Sequence, residues 1–329
     1  MTRTRPRLLL LALLSALAML TLAACGSDSG SGTGTGTQAA AAPAATSGGA
    51  STDDSMPGKG KPAVTLGDKN FTEQYILGEL YAQALRAKGY SVDVKGNIGS
   101  SEITDKALTS GKIDMYPEYT GVIVTELAKL SDQPKSADDT YQMAKDWETK
   151  RGFELLDKTP FFDADGLAVK PEYAQKYGLK SVGDLKKVDH FVYGGPPENK
   201  TRYQGVLGMQ KAYGLDNFTF KPLSIGLQYN ALKNGKIDVA AVFTTDGQLQ
   251  GGTYTVLDDT KGIFGYQNVA PVVSKKVLDA EGPAFADTLN KVSALLTNEA
   301  MQKMNAAVDL DKQKPADVAK QFLQANGLL

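Results

Sequence analysis

The residues most able to do chemistry in this chain come as a pair. The stretch GKIDMYPEYTG, Gly111 to Gly121, is nearly repeated as GKIDVAAVFTTDG at 235–247, and superposing the two GKID runs at an offset of 124 (243 − 119) sets Phe243 on Tyr119 and Thr244 on Thr120. Upstream, NIGSSEITDKAL and SIGLQYNAL share Ile-Gly and Ala-Leu. In each copy a helix containing Ala-Leu stops at a glycine, a short strand follows, and the aromatic residue sits just past the strand's carboxyl end. Open α/β sheets hold their ligands at that place. The pairing predicts two α/β lobes built alike, each offering one ring to a shared cleft. Bond-breaking chemistry has less to work with. The single histidine, His190 in VDHFVYGG, reads as a strand residue and cannot make a two-His metal site. Asp163 and Asp165 lack the third oxygen ligand that a calcium loop requires before its glycine, since Gly166 follows directly. A surface hydrolase built on Glu118 or Asp165 is the alternative from another functional class.

The elements that must position these residues follow a βαβ alternation, the signature of a parallel sheet. AVTLGDK reads as a strand. Asn70 and Glu73 resemble an N-cap and its N3 partner, opening a helix to about Lys88. Its pairs Ile76/Leu77, Leu80/Tyr81 and Ala84/Leu85 recur every four residues as one apolar stripe, and Gly89 supplies the C′ position. YSVDVKG alternates as a strand, Ser100 or Ser101 caps a short helix ending at Gly111, and KIDMY is a strand again.

The amino-terminal region has a different logic. Arg3, Arg5 and Arg7 precede an apolar run from Leu8 to Met19, and Leu22-Ala23-Ala24-Cys25 follows: basic, apolar, then small residues, the order of a secretory signal. Residues 1–24 are therefore expected to be a signal peptide. The only cysteine, Cys25, stands where cleavage would leave it first, and Leu-Ala-Ala-Cys resembles a bacterial lipobox, which implies a diacylglycerol thioether and an N-acyl chain on Cys25. One acyl chain holds only marginally, whereas several make a lasting anchor. Residues 25–62 then form a lipidated tether of Gly, Ser, Thr and Ala, too poor in large apolar side chains to fold. At roughly 5–6 Å × √n such a leash reaches on the order of 30 Å. The expected location is the extracytoplasmic face of the cell membrane.

Without the leader, 36 basic side chains less its three arginines leave 33 against 37 acidic, a net of −4 with His190 neutral. With no basic stripe, nucleic acid is not an expected partner. No P-loop and no cofactor motif is present, so no cofactor is implied.

GDKNFTEQYILGELY (Gly67 to Tyr81) followed by ALTSGKIDMYPEYTG closely resembles the extracytoplasmic substrate-binding proteins of osmoprotectant ABC importers, which capture glycine betaine, choline, carnitine and related compounds. The likeness runs from Val64 to the closing AKQFLQANGLL. It implies a type II periplasmic-binding fold, two α/β lobes joined by a two-strand hinge that closes like a clamp. The crossings are expected near Phe161–Leu167 and Lys261–Tyr266, with residues 63–162 plus 264–329 as lobe 1 and 163–263 as lobe 2. Partners implied are a small cationic or zwitterionic solute and an ABC permease with a separate ATPase; the binding protein itself is expected to be a monomer. A sensory lipoprotein carrying the same clamp is the alternative role.

A quaternary ammonium has no hydrogen to donate and is held by aromatic faces, each worth up to ~2 kcal/mol when desolvated. Three rings supply about 6 kcal/mol of the roughly 8 that a micromolar site needs. The resemblance places the rings at Tyr119, Phe243 and Tyr266, the ligand-carboxylate cations at Lys69 and Arg202, and an orienting acid at Glu198. It also exposes departures. Asp165 stands where a fourth tyrosine is usual, Val122 where a threonine often assists, and Phe243 where a tyrosine is common. A wall replaced by the Asp165 carboxylate is expected to favour a hydrogen-bond-donating or hydroxylated cation over a plain betaine.

Overall fold

A computed structural model describes residues 56–130 and 134–329; the signal peptide, Cys25 and nearly all of the tether lie outside the described residues. Among the described residues ten strands make two five-stranded sheets with one shared plan. The first runs β2 (Ser91–Lys95), β1 (Ala63–Gly67), β3 (Met115–Tyr119), β10 (Val269–Ser274), β4 (Phe153–Leu155). The second runs β7 (Phe218–Pro222), β6 (Phe191–Gly195), β8 (Val239–Phe243), β5 (Asp165–Val169), β9 (Thr255–Leu257). In both, the first three strands are parallel and the fourth is antiparallel to the third. Central strands such as MYPEY and VAAVF read as near-continuous buried runs because helices cover both faces of a parallel sheet.

The GKID repeat is in register with this plan. Both copies end on the carboxyl-terminal residue of the middle strand, Tyr119 of β3 and Phe243 of β8. The strand begins later than KIDMY suggested, at Met115, because Gly111 and Gly235 take left-handed φ values of 70° and 64° and the next three residues complete the turn. Asp114 accepts the Thr65 amide at 2.7 Å and Asp238 accepts the Val192 amide at 2.9 Å, so each aspartate pins its middle strand to the neighbouring one. Ile113 and Ile237 are buried beside Gly67 and Gly194, where a Cβ would stand only 2.5 Å and 2.7 Å from their Cδ1 atoms.

Helix α1 (Thr72–Ala87) buries the whole stripe from Ile76 to Leu85 and ends with Gly89 at φ 83°. Its start corrects the sequence reading. Phe71 is the N-cap, with no side-chain cap, and Glu73 turns inward rather than back to the helix end. The reason is stronger competition: the Glu73 carboxylate accepts hydrogen bonds from Tyr119, Thr245 and Asn305. Helix α2 (Ser101–Thr109) starts after Ser100, whose hydroxyl donates to Glu102 at 2.6 Å and accepts no capping bond from the backbone.

Separate apolar clusters lie against the two sheets: Leu66, Leu80, Val273 and Phe285 belong to one, Leu167, Phe191, Val239, Ile263 and Phe264 to another. Two strand-like segments pass between the halves side by side. Phe162 bridges Asn268 in antiparallel fashion, and the Asp163 amide donates to the Gln267 carbonyl at 3.0 Å.

Candidate functional site

The carboxyl ends of β1 and β3 on one side, and of β6 and β8 on the other, converge on one cavity. Lys69, Tyr119, Asp165, Glu198, Arg202 and Phe243 all line it. Its free space is about 40 Å³, room for a few waters at roughly 10–15 Å³ each. Little room is left between the halves at this point.

Tyr119 reaches the cavity from the end of β3, buried, its hydroxyl donating to Glu73 at 2.7 Å. Phe243 reaches it from the end of β8, held by an amide donation to Asp246 at 2.9 Å. Between the two halves stands Phe71, which stacks on Phe243 with centroids 5.7 Å apart at 12° and on Tyr119 at 6.2 Å and 20°. Sequence reasoning missed Phe71 although the quoted GDKNFTEQYILGELY motif contains it. The signal available was its position as last residue before α1, two beyond Lys69 at the sheet's ligand edge.

Tyr266 is not brought to this cavity. It is 41% exposed, donates its hydroxyl to the Lys135 carbonyl at 3.1 Å, and lines a neighbouring cleft with Tyr203 and Gln204. The turn from Gly262 to Gly265, both at left-handed φ, sends the chain past the cavity before it rejoins the first sheet, and Gln267 rather than Tyr266 faces inward.

Both cations are present and both are taken. Lys69 donates to Glu118 and, at 3.1 Å, to Ser101, while its ammonium stands 4.2 Å from the Tyr119 centroid. Burial pushes its pKa down, with the Glu118 charge opposing. Arg202, just after the turn Pro197–Lys200, donates two bonds across the cleft to Glu102 of α2, at 3.0 Å from Nε and 2.8 Å from Nη2.

Carboxyl groups face the same cavity. Asp165 opens β5, and burial raises its carboxyl to about 6 against the lowering influence of Arg202. Asp163, a cavity residue too, accepts from the Thr245 amide at 3.0 Å, and burial followed by the nearby Glu73 and Asp246 charges lifts it well above the ordinary range. Glu198 lines the same wall, and Val122 lies opposite. Away from the site, His190 is exposed and bonds Thr219 at 3.1 Å. Among the described residues no group of three or more His, Cys, Asp or Glu is placed to hold a metal, and no helix is long and apolar enough to cross a membrane. The arrangement offers ring faces and negative charge to a cation, with no nucleophile–base pair described beside them.

Residues 62–325 match the OpuAC family, described as the substrate binding domain of ABC-type glycine betaine transport systems. The chain is 35% identical over 277 residues to a glycine-betaine-binding protein of Pseudomonas aeruginosa, covering 80% of this chain and 88% of the relative. It is 29% identical over 285 residues to the carnitine transport binding protein OpuCC of Listeria monocytogenes, covering 83% and 90%. A solved glycine betaine/carnitine/choline ABC transporter structure superposes with a TM-score of 0.65 at 27% identity, covering 80% of this chain and 99% of that one.

Proposed function

Because the chain belongs to the OpuAC family, the substrate-binding domains of ABC-type glycine betaine importers, we propose that it captures a quaternary ammonium or related organic cation between its two halves and delivers it to a membrane permease with a separate ATPase. The observation that carries this reading is the aromatic stack of Tyr119, Phe71 and Phe243, drawn from both halves and bordered by Asp163 and Asp165. Ring faces hold a cation that cannot donate hydrogen bonds, and the Asp165 carboxylate supplies charge of the right sign. Nothing is chemically transformed.

The relatives' names offer glycine betaine and carnitine, and the solved neighbour adds choline. For this chain the reading favours choline-like or hydroxylated cations, since Asp165 stands at the cavity wall. Residues 63–162 with 264–329 act as one lobe of the clamp and 163–263 as the other, with the paired segments at Phe162 and Asn268 as hinge. An acylated Cys25 holds the protein on the extracytoplasmic face of the membrane.

Thermal-shift and calorimetric titration with choline, carnitine, glycine betaine and simple amines test the reading. Ligand at 100 times its Kd stabilises the folded state by about 2.7 kcal/mol. Tightest binding by choline or another hydroxylated cation is expected. Glycine betaine as the tightest ligand would overturn the preference assigned to Asp165, and no response to any of them would overturn the ligand class.

A further inference from the structure

We propose that Glu102 is a specificity-determining residue: by occupying the Arg202 guanidinium it sets the cavity for organic cations that carry no carboxylate. The inference rests on the capture reading above and deepens it.

Among the described residues lining the cavity only Lys69 and Arg202 are cationic. A ligand carboxylate would find its charge partner in one of them, and the planar guanidinium fork is the better match because it grips two oxygens at once. That fork is already filled. Arg202 Nε donates to one Glu102 oxygen at 3.0 Å and Nη2 to the other at 2.8 Å, the paired geometry a ligand carboxylate would take. Glu102 is itself steadied by the Ser100 hydroxyl at 2.6 Å. Partial burial works against its charge, but the Arg202 bonds and charge prevail and hold its carboxyl down at about 2, so it stays ionised throughout the physiological range. Lys69 offers no substitute, being engaged by Glu118 and Ser101.

A zwitterion would therefore have to expel Glu102 from the fork while bringing its own negative charge next to Asp165 and Glu198. A cation with a hydroxyl tail meets neither obstacle. Glu102 lies on the first half and Arg202 on the second, so the internal carboxylate also draws the halves together, as a ligand's would. The side chain is 42% exposed on the rim, which makes it replaceable without disturbing a core.

Calorimetric titration of the full chain with choline and with glycine betaine, for the wild type, Glu102→Gln and the double variant Glu102→Gln/Arg202→Met, tests this. The wild type is expected to bind choline more tightly. In Glu102→Gln the ratio of the two Kd values should move at least tenfold toward glycine betaine, and the double variant should lose that gain. A ratio that stays within twofold while both ligands weaken alike would show that Glu102 only draws the halves together, overturning the inference but not the capture reading. Binding of neither ligand by any of the three proteins would overturn both.

Discussion

A ring wedged between two others is where loss of contact should be felt first. Phe71→Ala is expected to weaken choline binding about tenfold, because a desolvated ring contributes up to ~2 kcal/mol and 1.4 kcal/mol is tenfold in Kd. Tyr266→Ala should leave the Kd within twofold, since that side chain faces outward; calorimetry on the pair separates the two positions. Asp165 adds a pH signature. Its carboxyl in the folded protein lies at about 6, above the ordinary 3.8, because burial disfavours the charge. A bound cation favours the charged form, so affinity should rise as pH climbs through about 6 and level off above it. Choline binding at pH 5 should be weaker than at pH 7.5 by up to about tenfold, and Asp165→Asn should flatten the profile. Of these residues, Tyr119 and Phe243 were legible because a repeated phrase marked them. Tyr266 was placed by likeness alone, in a turn whose path two left-handed glycines decide. Phe71 lay inside a quoted motif, but nothing in the sequence distinguishes a ring facing the cleft from one facing the core.

The junction written as Gly-Lys-Ile-Asp is one device used in both sheets. Glycine reverses the chain at the helix end, isoleucine fills a gap left by a glycine on the next strand, and aspartate caps that strand's free amide. Three of the four letters have a task, which is why so short a phrase could mark the same junction in both halves. Their boundaries were less readable: the expected strand KIDMY begins at Met115, since Asp114 spends its side chain on the adjacent strand. The cap expected from Asn70 and Glu73 failed for a tertiary reason, the pull of three partners on Glu73. Asp238→Ala should remove the acceptor for the Val192 amide, at a cost of about 1–3 kcal/mol for a donor left unpaired. A fall in Tm of several degrees by calorimetry is expected. An unchanged Tm would mean that the amide finds another partner.

Across the whole molecule the halves touch through a few specific bonds. Thr245 donates to Glu73, Asn305 donates to the Thr245 carbonyl at 3.0 Å, and Gln302 donates to the Thr244 carbonyl at 2.9 Å. Gly247 permits this approach, since a Cβ there would stand 2.6 Å from the Ala306 Cα. Gly247→Val should hold the cleft ajar, weakening choline at least tenfold while Tm without ligand stays within a few degrees. Small-angle scattering should report a larger radius. A variant that bound normally would show that this contact does not control closure. The contact was invisible in the sequence because it joins positions about sixty residues apart that meet only once both sheets are built.

The path of the backbone carries one last consequence. It enters beside Tyr90, where the Gly58 amide donates to the Lys88 carbonyl at 2.9 Å, and it finishes in the helix Pro315–Ala325 lying against α1. Entry and exit thus belong to one half, and the other is an excursion on two threads. Whatever is attached ahead of Met56 therefore joins the half that also carries the last helix.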